Sequence, residues 1–484
     1  MSIVSIEFIL LIAGTVLVYY LIPGRFQWVV LLAASGVFYS VLGWQCALWV
    51  LGTASTVYLA TVLMSRFPKK SAARKALCVC TALVNIAALA LFKYFPLPKG
   101  LIMPLGISFY TFQSLGYLTD VYHGSVPAEK NYLKTLLFVC FFPQMTQGPI
   151  SDFRQLSGQL YGAHSFSYDN FSRGTQRLLW GFIKKIMLAD RLSVYVRALF
   201  AHYGELPGLS VLVGIFIYAI WLYADFSGYM DIVCGSCDLL DIRLAENFRQ
   251  PYFSHSVAEY WRRWHITLGE WMKKYIYYPV AASRPCQKLG RVLRLRSRAL
   301  AGNTVGTLAL LVTWAATGIW HGNTAGYIVW GLINGAFLIL SLWLERAYAG
   351  AKKTLHIRDE AWWWRGFTLV RTFIIVAFIK ILPEVGTLGD GVGLWARAFT
   401  FTAPASLSEL ALAQYGVTIP AATLLVGLLF FICSIISLKY DVRSLFGKLP
   451  WIVRIVILAG ALLILVSVGI PEDMAEGGFA YARF

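Results

Sequence analysis

The sequence predicts an all-α, polytopic membrane protein, with about 11 or 12 transmembrane helices and further re-entrant or amphipathic helices around a central tunnel. Three observations carry this reading. Of 484 residues, 58% are hydrophobic, 15% aromatic and only 14% charged, which is more apolar surface than a soluble core can hide. The apolar residues gather in runs close to the roughly 20 residues that cross a bilayer. The net charge of +18 arises mostly from short basic loops between those runs, as the positive-inside rule describes, and this argues against nucleic acid as a partner.

Taken in order, the apolar runs predict spans over 4–22, 27–43, 46–65, 77–95, 101–121, 134–150, 209–225, 303–320, 325–345, 367–383, 420–438 and 452–470. The first run lacks a basic leader and a small-residue cleavage site, so it is expected to be retained. Arg66, Lys69, Lys70, Arg74 and Lys75 form one basic loop, and Arg284, Lys288, Arg291, Arg294, Arg296 and Arg298 form another. Both are expected to face the cytoplasm. Three spans precede the first of these loops, which puts the N-terminus outside. The acidic 384–409 loop and Glu472, Asp473 and Glu476 also fall outside, so both termini are predicted extracytoplasmic.

The stretch 151–300 departs from simple spans and is expected to hold the core of a single domain covering 1–484. In 174–198, Arg177, Lys184, Lys185, Asp190, Arg191 and Arg197 interleave with apolar residues, and in 257–278 Trp261, Trp264, Leu268, Trp271 and Tyr275 recur at helical spacing beside Arg262, Arg263, Lys273 and Lys274. Amphipathic or partly re-entrant helices follow from that pattern. At membrane depth such pieces are tolerated only against protein or a water-filled cavity.

Two histidines stand out in this apolar setting: His265, in Trp261-Arg-Arg-Trp-His265, and His321, in Gly318-Ile-Trp-His-Gly322. An imidazole titrates near neutrality and accepts a proton from a hydroxyl, and burying it in a membrane is expensive unless a task or partner holds it. His265 follows Trp261 by four residues, which places the two on one face if the segment is a continuous helix. Packing against aromatic neighbours is the competing reading for both histidines. The chain shows none of the spacings of a zinc site, and no metal is predicted. Cys234-Gly-Ser-Cys237 has redox spacing, but the strand and helix pattern of a thioredoxin is missing around it; the eight cysteines are expected to act as small apolar residues.

The run Asn247 to Pro279, with Glu259-Tyr-Trp-Arg-Arg-Trp-His-Ile-Thr-Leu-Gly-Glu-Trp271, together with Gly318-Ile-Trp-His-Gly322, Tyr327-Ile-Val-Trp-Gly331, Ser108-Phe-Tyr-Thr-Phe-Gln113 and Phe141-Phe-Pro-Gln-Met-Thr-Gln-Gly-Pro149, resembles the membrane-bound O-acyltransferase family. It is similar to those members that acylate bacterial envelope polymers. The resemblance implies His321 as catalytic histidine, His265 as second functional histidine, a tunnel through the membrane and acetyl-CoA as acyl donor from the cytoplasm. It also implies an extracytoplasmic, hydrolase-like acetyltransferase as partner and a polysaccharide as acceptor. Relatives often carry a further histidine where this chain has Asn334, so a role at that position is in doubt.

Acyl transfer suits the residues. A thioester is already activated, and the enzyme has to orient a hydroxyl, take its proton and steady the oxyanion. His321 is assigned the proton, and His265 the orientation of the acyl group or its carbonyl. Trp261, Trp264, Trp320, Asn323, Asp225, Gln113, Gln144 and Gln147 are candidates to line the tunnel; the glutamines serve equally well to join neighbouring spans. Asp225 and Asp231 are costly at membrane depth, and pairing with a basic residue of the amphipathic helices is favoured over catalysis. The last residues, Gly477-Gly-Phe-Ala-Tyr-Ala-Arg-Phe484, resemble a tail motif of polymer-acylating relatives in which a tyrosine carries the acyl group. Tyr481 is then a candidate nucleophile that needs a base beside its phenol, the alternative being an aromatic interface anchor. Two other functions stay open: D-alanyl transfer from a carrier protein to teichoic acid, and a transporter or channel. No inverted halves support the second.

Overall fold

Serine, asparagine and aspartate recur just before the apolar runs, and their side chains start the helices. The side chains of Ser5, Ser71, Asn131, Asp152, Ser167, Ser256 and Ser297 each accept a hydrogen bond from a backbone N–H of the first turn that follows, which satisfies donors that have no partner inside the helix. The computed structural model describes residues 2–97, 101–400 and 421–468. Among them every regular element is a helix, apart from one isolated antiparallel bridge between Phe248 and Trp264.

The helices are α1 (Ile6–Leu21), α2 (Gln27–Leu42), α3 (Trp44–Met64), α4 (Ala72–Tyr94), α5 (Ile107–His123), α6 (Tyr132–Cys140), α7 (Phe142–Met145), α8 (Phe153–Tyr161), α9 (Tyr168–Phe182), α10 (Asp190–His202) and α11 (Gly208–Asp238). There follow α12 (Val257–Arg263), α13 (Ile266–Met272), α14 (Tyr278–Ala281), α15 (Arg284–Arg294), α16 (Arg298–His321), α17 (Ala325–Thr354), α18 (Trp362–Lys380), α19 (Leu388–Arg397), α20 (Ala421–Ile436), α21 (Val442–Gly447) and α22 (Trp451–Val468). Among the described residues seven helices are long and apolar enough to cross a membrane: Gly24–Leu42, which extends α2 by one turn, then α3, α4, α11, α16, α17 and α18. Three more, α1, α20 and α22, are apolar but shorter. These ten correspond to ten of the predicted spans.

The other two differ. The run 101–121 contains α5, a 17-residue helix with 14 residues buried, among them Ser108, Thr111, Gln113, Ser114 and Asp120. Its polar groups therefore face protein. The run 134–150 is not one span. The backbone leaves the helix at Phe141 (ψ 104°), only the short α7 follows with Pro143 in its first turn, and Ser35 Oγ accepts from the Phe142 N–H at 3.2 Å. Proline removes a helical donor, and Ser35 serves one that the break exposes.

The described residues form two compact units, the first drawn from 1–186, 226–246 and 441–468, the second from 187–225 and 247–440. Within the first, the buried Arg74 guanidinium closes two helix ends at once. It donates to the carbonyls of Met64 at 3.1 Å, Phe67 at 3.4 Å and Tyr122 at 3.1 Å, and to that of Val121, at the ends of α3 and α5, where Met64 and Val121 also accept from the backbone N–H groups of Phe67 and Gly124. Asp231 of α11 receives Arg177 Nε at 2.9 Å and Lys184 Nζ at 2.7 Å. The pairing expected for Asp231 with the basic helices is thus present. Past α9 the chain passes through a π-helical stretch, Ile183–Ala189, before α10.

Candidate functional site

In the second unit α16 and α17 run together, and their contact is set by small residues. A methyl group on Gly331 would lie 2.6 Å from the Trp314 carbonyl oxygen, and one on Gly318 would lie 2.7 Å from that of Tyr327, so only glycine permits this approach. The close pairing delivers His321, the last residue of α16, into a ring of aromatics. Its imidazole is 4% exposed. It lies 4.6 Å from the Trp320 ring centre, 4.9 Å from that of Trp330 at 83°, and 6.3 Å from that of Tyr327 in a parallel stack. The carbonyls at the C-terminal end of a helix favour positive charge, and an imidazolium formed at His321 gains from them.

Trp330 extends this wall. Its ring meets Trp261 of α12 at 5.6 Å and Trp314 at 6.2 Å. Trp261 Nε1 donates to Asn334 Oδ1 at 3.0 Å, and Asn334 Nδ2 donates to the Trp330 carbonyl at 2.8 Å. Trp261 and His321 therefore both contact Trp330, and Asn334 fastens that cluster by hydrogen bonds.

His265 is placed differently from the sequence expectation. The segment 257–278 is not one continuous helix: α12 ends at Arg263, Trp264 is extended, and His265 adopts left-handed backbone (φ 46°) before α13 begins. Trp261 and His265 consequently do not share a helical face. The break is held by long-range pairing with 247–249. Phe248 bridges Trp264, Arg249 N–H donates to the Arg263 carbonyl at 3.0 Å, and Ile266 N–H donates to that of Asn247 at 3.0 Å. Asn247 Oδ1 accepts from the Thr267 N–H at 3.0 Å and from Thr267 Oγ1 at 2.7 Å, and lies 3.4 Å from His265 Nδ1. Left-handed backbone at a residue with a side chain costs energy and gathers at functional sites. His265 itself is 2% exposed.

The remaining candidates divide. Trp264 and Trp320 are buried, Asp225 is buried in α11, and Asn323 is exposed in the turn between α16 and α17. Gln113, Gln144 and Gln147 belong to the first unit. There Gln113 Nε2 donates to the Phe138 carbonyl at 2.6 Å, Gln144 Nε2 donates to Gln113 Oε1, and Ser151 Oγ donates to Gln144 Oε1 at 3.3 Å. For Gln113 and Gln144 the observed bonds are those of joints between segments. Tyr481 and the tail motif lie outside the described residues. One feature escaped the sequence reading altogether: Lys380, buried at the end of α18 with Nζ 3.0 Å from the Trp264 ring centre. Its only signal was a cation within the predicted span 367–383.

Comparison with known proteins agrees with this architecture. The membrane-bound O-acyltransferase family profile matches residues 126–379, a stretch that contains both histidines. A probable alginate O-acetylase of Azotobacter vinelandii is 30% identical over 453 residues, 89% of this chain and 82% of that protein. A probable alginate O-acetylase of Pseudomonas fluorescens is 34% identical over 316 residues, which are 64% of this chain and 56% of that protein's length. A peptidoglycan O-acetyltransferase of Helicobacter pylori is 29% identical over 282 residues, 53% of this chain and 50% of its own. The chain is a multi-pass membrane protein that belongs to the membrane-bound O-acyltransferase family, and so to the O-acyltransferases.

Proposed function

We propose that the chain transfers an acetyl group from a cytoplasmic thioester, acetyl-CoA, towards an extracytoplasmic polysaccharide, with His321 as general base. The observation that carries this reading is the seat of His321: a buried imidazole at the C-terminal end of a membrane-crossing helix, walled by Trp320, Tyr327 and Trp330. Such a group takes the hydroxyl proton as the oxygen attacks the thioester carbonyl, and the helix end steadies the imidazolium that results. The similar proteins named for alginate and peptidoglycan acetylation support a polymeric carbohydrate acceptor. His265, fixed in its left-handed turn, is assigned to orienting the acyl group. An extracytoplasmic hydrolase-like subunit completes delivery to the sugar, and the bacterial cytoplasmic membrane with both termini outside is the setting.

The test is purified full-length protein in proteoliposomes with labelled acetyl-CoA, the extracytoplasmic subunit and a polysaccharide acceptor, in wild type and His321→Ala. Wild type releases CoA and passes label to the acceptor; the variant is expected to lose about 10²- to 10⁴-fold in rate, the usual contribution of a positioned base. Mass spectrometry of the wild type distinguishes two routes. Label on Tyr481 marks a covalent relay, and continued transfer without it marks direct attack by the acceptor. An unlabelled acceptor with unaltered CoA in the wild type overturns the reading.

A further inference from the structure

The last residue of α18 is a cation that nothing above employs. Lys380 is 6% exposed, and its Nζ sits 3.0 Å from the ring centre of Trp264, 5.6 Å from that of Tyr260 and 5.8 Å from that of Tyr252. Among the described residues no carboxylate pairs with it and no acceptor takes a hydrogen bond from it. Three other cations are matched: Arg177 and Lys184 meet Asp231, and Arg263 meets Glu259 at 2.6 Å. An aromatic face attracts an ammonium, yet it returns less than the loss of water costs, and a buried charge without a counter-ion lowers stability. A lysine buried on such terms at the end of a membrane-crossing helix points to function.

Its position says which. Ile379 and Leu382, on either side of Lys380, pack with Trp314 and Trp330, and Trp330 stands edge-on to His321. A methyl on Gly326, just past His321, would lie 2.4 Å from the Leu382 carbonyl oxygen. On its other side the ammonium covers Trp264, which is bonded directly to His265. The end of α18 thus touches both histidine-bearing segments.

Resting on the acyl-transfer reading above, we infer that Lys380 Nζ is the oxyanion-binding group of this site. Attack of the hydroxyl oxygen on the thioester carbonyl forms a C–O bond, turns the carbonyl oxygen into an oxyanion and sends the hydroxyl proton to the His321 imidazole. Collapse restores the C=O bond, breaks the C–S bond and returns the proton to the departing sulfur, giving an ester and free thiol. Lys380 holds the negative oxygen between these two events and is not consumed. It is catalytic in the sense that it meets the reacting atoms.

Lys380→Met in the purified full chain tests this, with three readouts: kcat for acetyl transfer from acetyl-CoA, the dissociation constant of CoA, and the thermal midpoint in detergent. The expected result is a loss of about a hundredfold or more in kcat, unchanged CoA affinity and a midpoint equal to or above that of wild type, because an unpaired buried charge has gone. An unchanged kcat overturns the inference. So does weakened CoA binding with kcat intact, which would mark a phosphate anchor, and so does a lowered midpoint accompanying the lost activity, which would mark a packing role. If Lys380→Met does not accumulate, Lys380→Gln, which keeps the length and loses the charge, is read in the same way. A wild type without transfer sinks the acyl-transfer reading itself and is thereby distinct from these outcomes.

Discussion

Trp261 Nε1 donates to Asn334 Oδ1 at 3.0 Å, a bond that ties α12, just ahead of the His265 turn, to α17, just beyond the His321 turn. It makes Asn334 a fastener of the aromatic cluster.

Removing that acceptor leaves a half-buried indole N–H without its partner. Asn334→Ala is expected to cost about 1–3 kcal/mol, the desolvation penalty of an unsatisfied donor, seen as a lowered thermal midpoint in detergent. Asn334→His keeps an acceptor and is expected to unfold close to wild type. Equal midpoints for the two variants would remove the fastener role.

The His265 turn separates backbone from imidazole. Its φ of 46° suits glycine, so His265→Gly is expected to be more stable than His265→Ala by about 1 kcal/mol or more. Both are expected to lose acyl transfer, since both lack the ring. Thermal melts and turnover measured together check this; a His265→Gly variant with full activity would reduce His265 to a backbone role.

Close contact of α16 and α17 is the third expectation. Gly331→Val puts a branched side chain where even a methyl lies 2.6 Å from the Trp314 carbonyl. The helices must part, at a cost of about 1–3 kcal/mol by the usual price of overpacking. Trp330 and with it the His321 wall then shift, and turnover falls although no chemical group has been lost. Wild-type turnover in Gly331→Val would show that the wall tolerates displacement.

Arg74 offers a test remote from the site. Arg74→Met takes the guanidinium from four carbonyls at the ends of α3 and α5; those of Met64 and Val121 keep a backbone donor, and about 1–3 kcal/mol of stability is expected to go with the loss of the others. Melting temperature reads the loss, while turnover per folded molecule is expected to stay near wild type.

Periodicity and hydropathy were enough for the membrane helices, because a lipid-facing helix must be apolar over a full crossing and α2, α3, α4, α11 and α16 to α18 obey that. Irregularity within 151–300 was legible too, since Arg177 and Lys184 on an otherwise apolar stretch demand a partner, and Asp231 supplies it. The break at His265 was not. It is imposed by pairing with Phe248 and Asn247, about 17 residues upstream, and spacing within 257–278 carries no trace of that. Nor did composition distinguish α5, whose polar residues turn inward against protein. Lys380 carried no signal beyond its charge within the run 367–383, and only the fold shows that its surroundings are rings.

The central claim is that the imidazole of His321 removes the hydroxyl proton during acyl transfer. Single-turnover transfer from labelled acetyl-CoA, compared between wild type and His321→Ala at equal thermal midpoint and equal CoA affinity, tests it most directly. A rate lower by about 10²-fold or more in the variant is the predicted result. A variant that transfers acetyl as fast as wild type would contradict it.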